Sequence, residues 1–311
     1  MSIYTYMTRV IYSLYIDIPE DELDPQPPHH LDTEDKNIKA KREFAIHQPF
    51  LERSQRAYAA NIGVEYRIFK YDDKWKQFKA DQNKKYPVLN TYNIINFYKI
   101  HVMYELLKEF DEILYLDMDV ISITRKNFFN EFDFDKGIVI KKNNLDYNMT
   151  ISADDIRMHE KYAINNPGWK MSKSNRSPMA KFWNSKAIIM EEGGDPTDNL
   201  VYNTGIIGAN KKHLEQLDYW GDFSYFINLM TELKEPDNGM WSFLFRDIFG
   251  WDNETLWGAK TNLNNVQCQL MPETWHHFMH RACYVPKGTF FIHIINKEFE
   301  WVREYCEKNN F

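Results

Sequence analysis

Residues 112–121, EILYLDMDVI, decide the fold of this chain of 311 residues. The apolar run before the acids is typical of a strand buried on both faces of an α/β sheet. Because side chains alternate along a strand, Asp117 and Asp119 would face one space at its carboxyl end while Met118 packs behind. Two carboxylates so close repel each other, and a divalent cation, Mg²⁺ or Mn²⁺, would relieve the repulsion. The plain alternative is a solvated Asp-x-Asp turn.

Composition is that of an ordinary folded protein, with 43% hydrophobic and 27% charged residues. A formal net charge of -7 excludes a global positive field that would attract nucleic acid or an anionic membrane. Three late cysteines without metal-type spacing favour reduced thiols and a cytoplasmic location. No run approaches the roughly 18 apolar residues that a membrane span needs.

The first 120 residues predict strands and helices in alternation. The predicted elements are a strand at 9–18, a loop at 21–35, a helix from Pro49 to Gly63, a strand at 64–69, a short helix and loop at 72–90, and an amphipathic helix at 94–110 that leads into the Asp-Met-Asp strand. This order predicts a mostly parallel sheet with right-handed crossovers. Such a sheet is a nucleotide-binding type of architecture.

The later part of the chain is less regular. A strand is predicted at 137–140, and residues 141–199 predict a surface insertion. Its basic run, KMSKSNR at 170–176, is either a contact for a phosphate-bearing acceptor or a solvated loop.

In LVYNTGIIGA at 200–209, Asn203 and Thr204 place polar groups in an apolar run, where they either brace the backbone or meet a polar ligand. Helices are predicted at 214–233, from 235 and at 298–308, with a last strand at 289–295. His293 in that strand is, on its own, typical of a core histidine.

Four stretches in order resemble GT-A-fold glycosyltransferases, the superfamily that includes glycogenin and the lipooligosaccharide galactosyltransferases. They are ILYLDMDV at 113–120, YNTGIIGA at 202–209, PDNGMWSFLF at 236–245 and FFIHIINKEFEW at 290–301. The resemblance implies a single α/β catalytic domain over residues 1–311, with a Rossmann-like sheet flanked by helices. Its parts would be a nucleotide-binding half at 1–140, an acceptor-side insertion at 141–199 and a half that completes the acceptor and metal sites at 200–311.

The same resemblance implies a set of site residues. Asp117, Asp119 and His293 match the family's ligands for Mn²⁺, or Mg²⁺, which bridges the diphosphate of a nucleotide-sugar donor, here expected to be a UDP-sugar. Lys99 resembles a basic residue that approaches the nucleotide. Asn203 and Thr204 would lie beside the sugar or the acceptor.

The terminal motif of the family, His-x-x-Gly-x-x-Lys-Pro-Trp, is only partly kept. His293 and Trp301 keep their spacing, but the Gly, Lys and Pro positions hold other residues, and Lys297 is expected to supply the phosphate-binding cation from a shifted position. Asp237 and Asn238 resemble an acidic–amide pair at the sugar-binding face. Retention of configuration, with the amide near the reacting carbon, is expected from the resemblance; in an inverting enzyme Asp237 would be the general base.

Three alternatives remain open. The chain could transfer a sugar to a modified nucleic-acid base, although its acidity opposes DNA binding and only residues 170–176 are basic support. It could be a haloacid-dehalogenase-type phosphatase with Asp117 as nucleophile and GDPTD at 194–198 as a later acidic motif, although that nucleophile strand normally comes first in its fold. It could be a non-catalytic nucleotide-sugar-binding protein, which has less need of a metal. The expected acceptor is otherwise a glycan, a protein or a small molecule.

Overall fold

The computed structural model describes residues 7–24, 34–143, 173–234, 251–279, 285–295, 297 and 299–308. The strands in chain order are β1 (Arg9–Tyr15), β2 (Glu65–Lys70), β3 (Glu112–Leu116), β4 (Val120–Ser122), β5 (Ile138–Lys142), β6 (Tyr202–Asn210), β7 (Cys268–Leu270), β8 (His277–Met279) and β9 (Phe291–Ile294). The α-helices are α1 (Lys36–Ile62), α2 (Asp73–Lys85), α3 (Thr91–Leu106), α4 (Phe128–Glu131), α5 (Lys173–Glu191), α6 (Lys211–Leu217), α7 (Phe223–Lys234), α8 (Asn253–Leu263) and α9 (Phe299–Lys308). Within these residues, we find no helix both long and apolar enough to cross a membrane.

A six-stranded sheet in the order β2-β1-β3-β6-β5-β7 forms the centre of the molecule. β1 pairs in parallel with β2 and β3, as the alternation of strands and helices predicts. β6 runs antiparallel to both β3 and β5, so the sheet is mixed beyond β3. The predicted α/β class, a central sheet flanked by helices, is confirmed.

β3 is buried on both faces, which confirms the interpretation of its apolar run. Ile113 and Tyr115 pack into the larger core, formed with side chains of α2, α3 and α5 to α8. Leu114 and Leu116 pack into a second core against α1 and α4. A third core lies between α1, α9 and a small sheet in the order β4-β9-β8.

The two acids do not share a side of β3 through strand alternation, so that part of the prediction is wrong. β3 ends at Leu116, and the chain turns immediately, with the Val120 amide donating to the Asp117 carbonyl at 3.0 Å. β4 then joins the small sheet. The turn, not the pleat of a strand, therefore sets the relation between Asp117 and Asp119.

The first helix begins earlier than predicted. The Asp35 carboxylate accepts hydrogen bonds from the Asn37 and Ile38 amides and caps α1, so Pro49 lies inside the helix and not at its start. Proline there removes one backbone donor, and the helix continues to Ile62. It ends where predicted, at Gly63, whose φ of 67° is the left-handed conformation that glycine adopts without strain.

Other expectations are modified. Residues 173–191 of the predicted surface insertion form α5, and Ala187, Ile188 and Ile189 at its end are fully buried, so this part belongs to the core. The single helix predicted at 214–233 is two helices, α6 and α7. Residues 144–172 and 235–250 lie outside the described residues.

Gln55 of α1 fixes the turn that carries the acids. This side chain is fully buried, and its Nε2 donates to the carbonyl oxygens of Asp117 and Val120, both at 2.9 Å. Its Oε1 accepts from the Ser13 and Tyr66 hydroxyls at 2.5 and 2.9 Å. The side-chain amide of Gln55 thus uses both its N–H groups and its oxygen in hydrogen bonds that connect α1 with β1, β2 and the turn.

Replacing Gln55 tests this bracing. Gln55→Leu removes the amide that bonds the Asp117 and Val120 carbonyls and the Ser13 and Tyr66 hydroxyls, and of these four groups the Asp117 carbonyl keeps another donor, the Val120 amide. We therefore expect the free energy of unfolding to fall by about 1–3 kcal/mol. Chemical denaturation at pH 7 measures the change. Gln77→Leu, on the exposed side of α2, is the matched control and should leave stability nearly unchanged. Equal effects of the two substitutions would show that Gln55 does not brace the turn.

Candidate functional site

Asp117, Asp119 and His293 converge at the carboxyl end of β3. Each offers one ligand atom, and the three atoms lie within 4.8 Å of one another. His293 Nε2 is 3.3 Å from Asp119 Oδ1 and 3.8 Å from Asp117 Oδ2. The predicted grouping of these residues is therefore what the fold produces, although they are as far as 176 positions apart in sequence.

His293 reaches the acids because the small sheet places it there. β4 and β9 pair antiparallel with Val120 opposite His293, and the Ile294 amide donates to the Asp119 carbonyl at 2.9 Å. On its other side the ring of His293 lies against Gly205 of β6, where a Cβ would come within 2.3 Å of the imidazole Cε1. The absence of a side chain at Gly205 is what admits the histidine.

Lys297 supplies positive charge next to the cluster. Its Nζ contacts Asp119 Oδ2 directly. Burial of the Asp119 carboxyl raises its pKa, but Lys297 and His293 outweigh burial and hold that pKa well below its ordinary value. Asp119 is therefore ionised and ready to act as a ligand at neutral pH.

Lys99 of α3 supplies a second positive charge, from the interior. It is almost fully buried, and its Nζ lies 3.9 Å from Asp117 Oδ1 and 5.5 Å from the centre of the Tyr115 ring. The Tyr115 hydroxyl donates to the same carboxylate oxygen. Burial and the Asp117 carboxylate raise the pKa of Tyr115 well above its ordinary value, so the phenol keeps its proton and remains a donor.

A second polar cluster begins at Thr204, immediately before Gly205 on β6. Buried Glu254 accepts from the Thr204 backbone amide at 2.9 Å and from the Thr204 hydroxyl at 3.3 Å. The side-chain Nδ2 of Asn253 donates to that hydroxyl at 2.8 Å. Glu254 also contacts Lys181 of α5. We call Lys181, Thr204, Asp252, Asn253 and Glu254 the inner polar cluster.

Two lysines, Lys181 within the inner polar cluster and Lys99 next to it, act on the carboxyl of Glu254. Burial raises the pKa of Glu254, but Lys181 and Lys99 outweigh it and lower that pKa below its ordinary value. Asp252 lies 3.7 Å from Lys181, and burial raises its pKa. Lys99 thus acts on carboxylates of both clusters, Asp117 and Glu254.

The sequence analysis missed the acids at the start of α8. A signal was present, because Asp252 precedes an apolar helical pattern and caps it by accepting from the Thr255 amide at 2.7 Å. What the pattern alone could not show is that Glu254 turns inward to Thr204. The acidic–amide pair of the prediction, Asp237 and Asn238, lies outside the described residues.

Asn203 and Thr204 both brace the structure. Asn203 Oδ1 accepts from the Gly205 amide at 3.0 Å, and Thr204 is fully buried in the inner polar cluster. Of the two uses that their position left open, bracing is the one observed. Their predicted contact with a sugar or acceptor stays a prediction.

The ligand atoms of Asp117, Asp119 and His293 fit a divalent cation. Two carboxylates and one imidazole suit Mn²⁺, and ligand atoms around one octahedral ion with bonds of about 2.1 Å lie about 3 Å apart. The separations of 3.3 and 3.8 Å from His293 Nε2 come close to that value. The side chains of Asp117 and Lys297 are 29% and 23% exposed, so the site is open to solvent where these two residues lie. Next to Lys297, a cleft of about 430 Å³ opens between α1 and α9.

No protein-family model and no curated protein match the sequence. Among solved structures, this one is similar to a glycosyltransferase involved in the glycosylation of the major capsid of PBCV-1, at 10% identity over 97% of this chain and 99% of that chain, with a TM-score of 0.36. It is also similar to mouse xyloside xylosyltransferase 1, at 11% identity over 93% and 98% of the two chains, with a TM-score of 0.44.

A third similar structure is that of the galactosyltransferase LgtC, at 10% identity over 92% of this chain and 87% of that chain, with a TM-score of 0.42. All three proteins bear the names of sugar transferases.

Substituting Gly205 tests the assembly of the three ligands. A methyl group in Gly205→Ala overlaps the His293 ring and should displace it from the carboxylates, so we expect Mn²⁺ affinity to fall by at least ~10-fold, as for other losses of ligand support. Isothermal titration measures it. Gly193→Ala is the control: it adds the same methyl group where no atom lies within 4 Å, and its φ of 72° strains the backbone there without touching the three ligands. Unchanged affinity in Gly205→Ala would mean that His293 is not held by this packing.

Proposed function

We propose that this protein is a GT-A-type glycosyltransferase that uses Mn²⁺ or Mg²⁺ to transfer a sugar from a nucleotide-diphosphate donor, expected to be a UDP-sugar, to an acceptor hydroxyl. The observation that carries the proposal is the convergence of Asp117, Asp119 and His293. These residues meet beyond the carboxyl end of β3, where ligands bind in open α/β sheets. The sequence resemblance points to the same chemistry.

The three ligands would hold the ion against the donor diphosphate. Bound there, the ion would neutralise the charge that develops on the leaving diphosphate as the sugar bond breaks. The residues of the chain prepare this step. Asp119 is kept ionised, and the buried Tyr115 hydroxyl and Lys99 orient the Asp117 carboxylate.

Lys297 is the proposed phosphate-binding cation. Its ammonium contacts Oδ2 of Asp119, one oxygen of a carboxylate that would bind the metal ion. The Lys297 side chain is partly exposed at the cleft. With a nucleotide diphosphate present, the ammonium would gain a more highly charged partner. We therefore propose that Lys297 moves from Asp119 to the diphosphate when the metal–nucleotide complex binds.

The inner polar cluster is the proposed support of the donor-sugar side. Thr204 adjoins Gly205, which contacts the ligand His293, so the cluster begins one residue from the metal site. Asn253 and Glu254 hold Thr204 in place. The roles predicted for Asp237 and Asn238, and transfer with retention, remain proposals that rest on the sequence resemblance.

Calorimetric titration of UDP, GDP, CMP and ADP, each with and without Mn²⁺, tests the function. We expect tight binding of one nucleotide, UDP, only with Mn²⁺. Asp119→Asn should weaken this binding by at least ~100-fold and abolish metal-dependent turnover of the donor, while the fold stays intact. Asp73→Asn, a fully exposed acid of α2, is the control.

Two results would contradict the proposal. Full activity in Asp119→Asn would remove the site assignment. Absence of metal-dependent binding for every nucleotide would oppose a glycosyltransferase, and hydrolysis of a simple phosphoester with Mg²⁺ would then favour the phosphatase alternative.

Lys297→Met gives a sharper test of the site because its two effects have opposite signs. Removing the ammonium frees Asp119 Oδ2, so Mn²⁺ alone should bind several-fold more tightly. The Mn²⁺–UDP complex should bind about 10-fold more weakly, which corresponds to one lost charge-assisted contact of about 1.4 kcal/mol. Titrations of both ligands measure the split, with Lys308→Met of α9 as control. A change of the same sign for both ligands would show that Lys297 does not exchange partners.

A further inference from the structure

A second histidine lies behind the proposed metal ligand. His293 Nδ1, the ring nitrogen that faces away from the carboxylates, is 2.8 Å from Nε2 of His276. His276 is fully inaccessible, and His293 is nearly so. His276 immediately precedes β8, which pairs in parallel with β9, the strand that carries His293.

Only one direction of this hydrogen bond is compatible with metal binding. A neutral imidazole carries one proton, so His293 can bind an ion through Nε2 only if its proton is on Nδ1. His293 Nδ1–H must then donate to His276 Nε2. In the opposite direction, with His276 as donor, the proton of His293 would occupy Nε2, the atom that faces Asp117 and Asp119.

Contacts with Lys141 and Phe278 hold the backbone and the ring of His276 in place. Lys141 of β5 donates to its carbonyl oxygen at 2.5 Å and to Glu273 Oε2 at 2.5 Å, which fixes the backbone at this residue. The Phe278 ring packs 4.6 Å from the imidazole, centre to centre.

We infer that His276 is a positioning residue that accepts the Nδ1 proton of His293 and so directs the Nε2 lone pair of His293 at the metal. This inference rests on the metal site proposed above. Partners of this kind fix the tautomer and ring orientation of metal-binding histidines, and their loss typically costs 10–100-fold in affinity. His276 itself does not touch the ion or the substrate.

Three substitutions at residue 276 separate positioning from packing. His276→Gln places an amide oxygen near the original Nε2, His276→Asn places one near Nδ1, and His276→Phe keeps the ring without a lone pair. We expect Mn²⁺ affinity to fall about 10–100-fold in the Phe and Asn variants and to stay within about 3-fold of the wild type in the Gln variant. His277→Gln, one residue further along, is the matched control and should bind as the wild type does.

The tautomer is read directly by ¹⁵N NMR of histidine-labelled protein, with Zn²⁺ as a diamagnetic probe. In the loaded wild type and His276→Gln, we expect His293 to carry its proton on Nδ1. In His276→Phe that protonated Nδ1 signal should be lost or exchange-broadened. If His276→Phe does not fold, as judged by denaturation, the contrast between Gln and Asn decides.

The outcomes distinguish this inference from the proposed function. If the wild type binds neither Mn²⁺ nor Zn²⁺, the metal site fails and the inference fails with it. If the wild type binds metal through His293 while the Phe and Asn variants bind equally well with the same tautomer, the metal site stands and the role of His276 is overturned.

Discussion

Repulsion between two carboxylates at the end of a buried strand is the constraint on which this structure depends. Ligand oxygens of Asp117 and Asp119 lie within 4.8 Å, a separation at which like charges repel by about 3 kcal/mol at an effective dielectric constant near 20. The fold meets this cost with two lysines from opposite directions. Lys99 approaches Asp117 from the core, and Lys297 approaches Asp119 from the cleft. His293 lies on a third side of the two acids, with its Nε2 3.3 Å from Asp119 Oδ1. The three side chains together still offer their ligand atoms to a cation.

A second pair of buried carboxyls, Asp252 and Glu254, is likewise paired with a lysine. Lys181 lies between Asp252 and Glu254, and the Thr204 amide and hydroxyl complete the bonding of Glu254. Such buried networks are costly if one member is removed, because the remaining charge has no water to solvate it. β6 joins the two clusters, since Thr204 belongs to one and the next residue contacts His293 of the other. The Thr204–Gly205 peptide thus links the inner polar cluster to the cluster of Asp117, Asp119 and His293.

Several features were predictable because they depend on local pattern. The run at 113–116 predicted a strand buried on both faces, and residues that recur at three- and four-residue steps predicted α3. Gly63 predicted the end of α1 because only a residue at ease with positive φ fits there. The grouping of Asp117 and Asp119 followed from their closeness in the chain, although a turn produces it and not strand alternation. His293 was identified only through the family resemblance, since its own surroundings in sequence are those of a core residue.

The sequence by itself therefore determined which segments are helices and strands around β3, and that two acids follow its end. Tertiary structure alone decided what surrounds those acids. Gln55 reaches the turn from 62 positions away, and Glu254 contacts Thr204 from 50 positions away. His276, just before β8, contacts His293 of the neighbouring strand β9. The physical reason is that such hydrogen bonds depend on strand register and helix packing, which bring distant residues together without leaving a periodic signal in the sequence. The periodicity of a segment indicates which face of a helix or strand is buried, but not which polar residue it contacts.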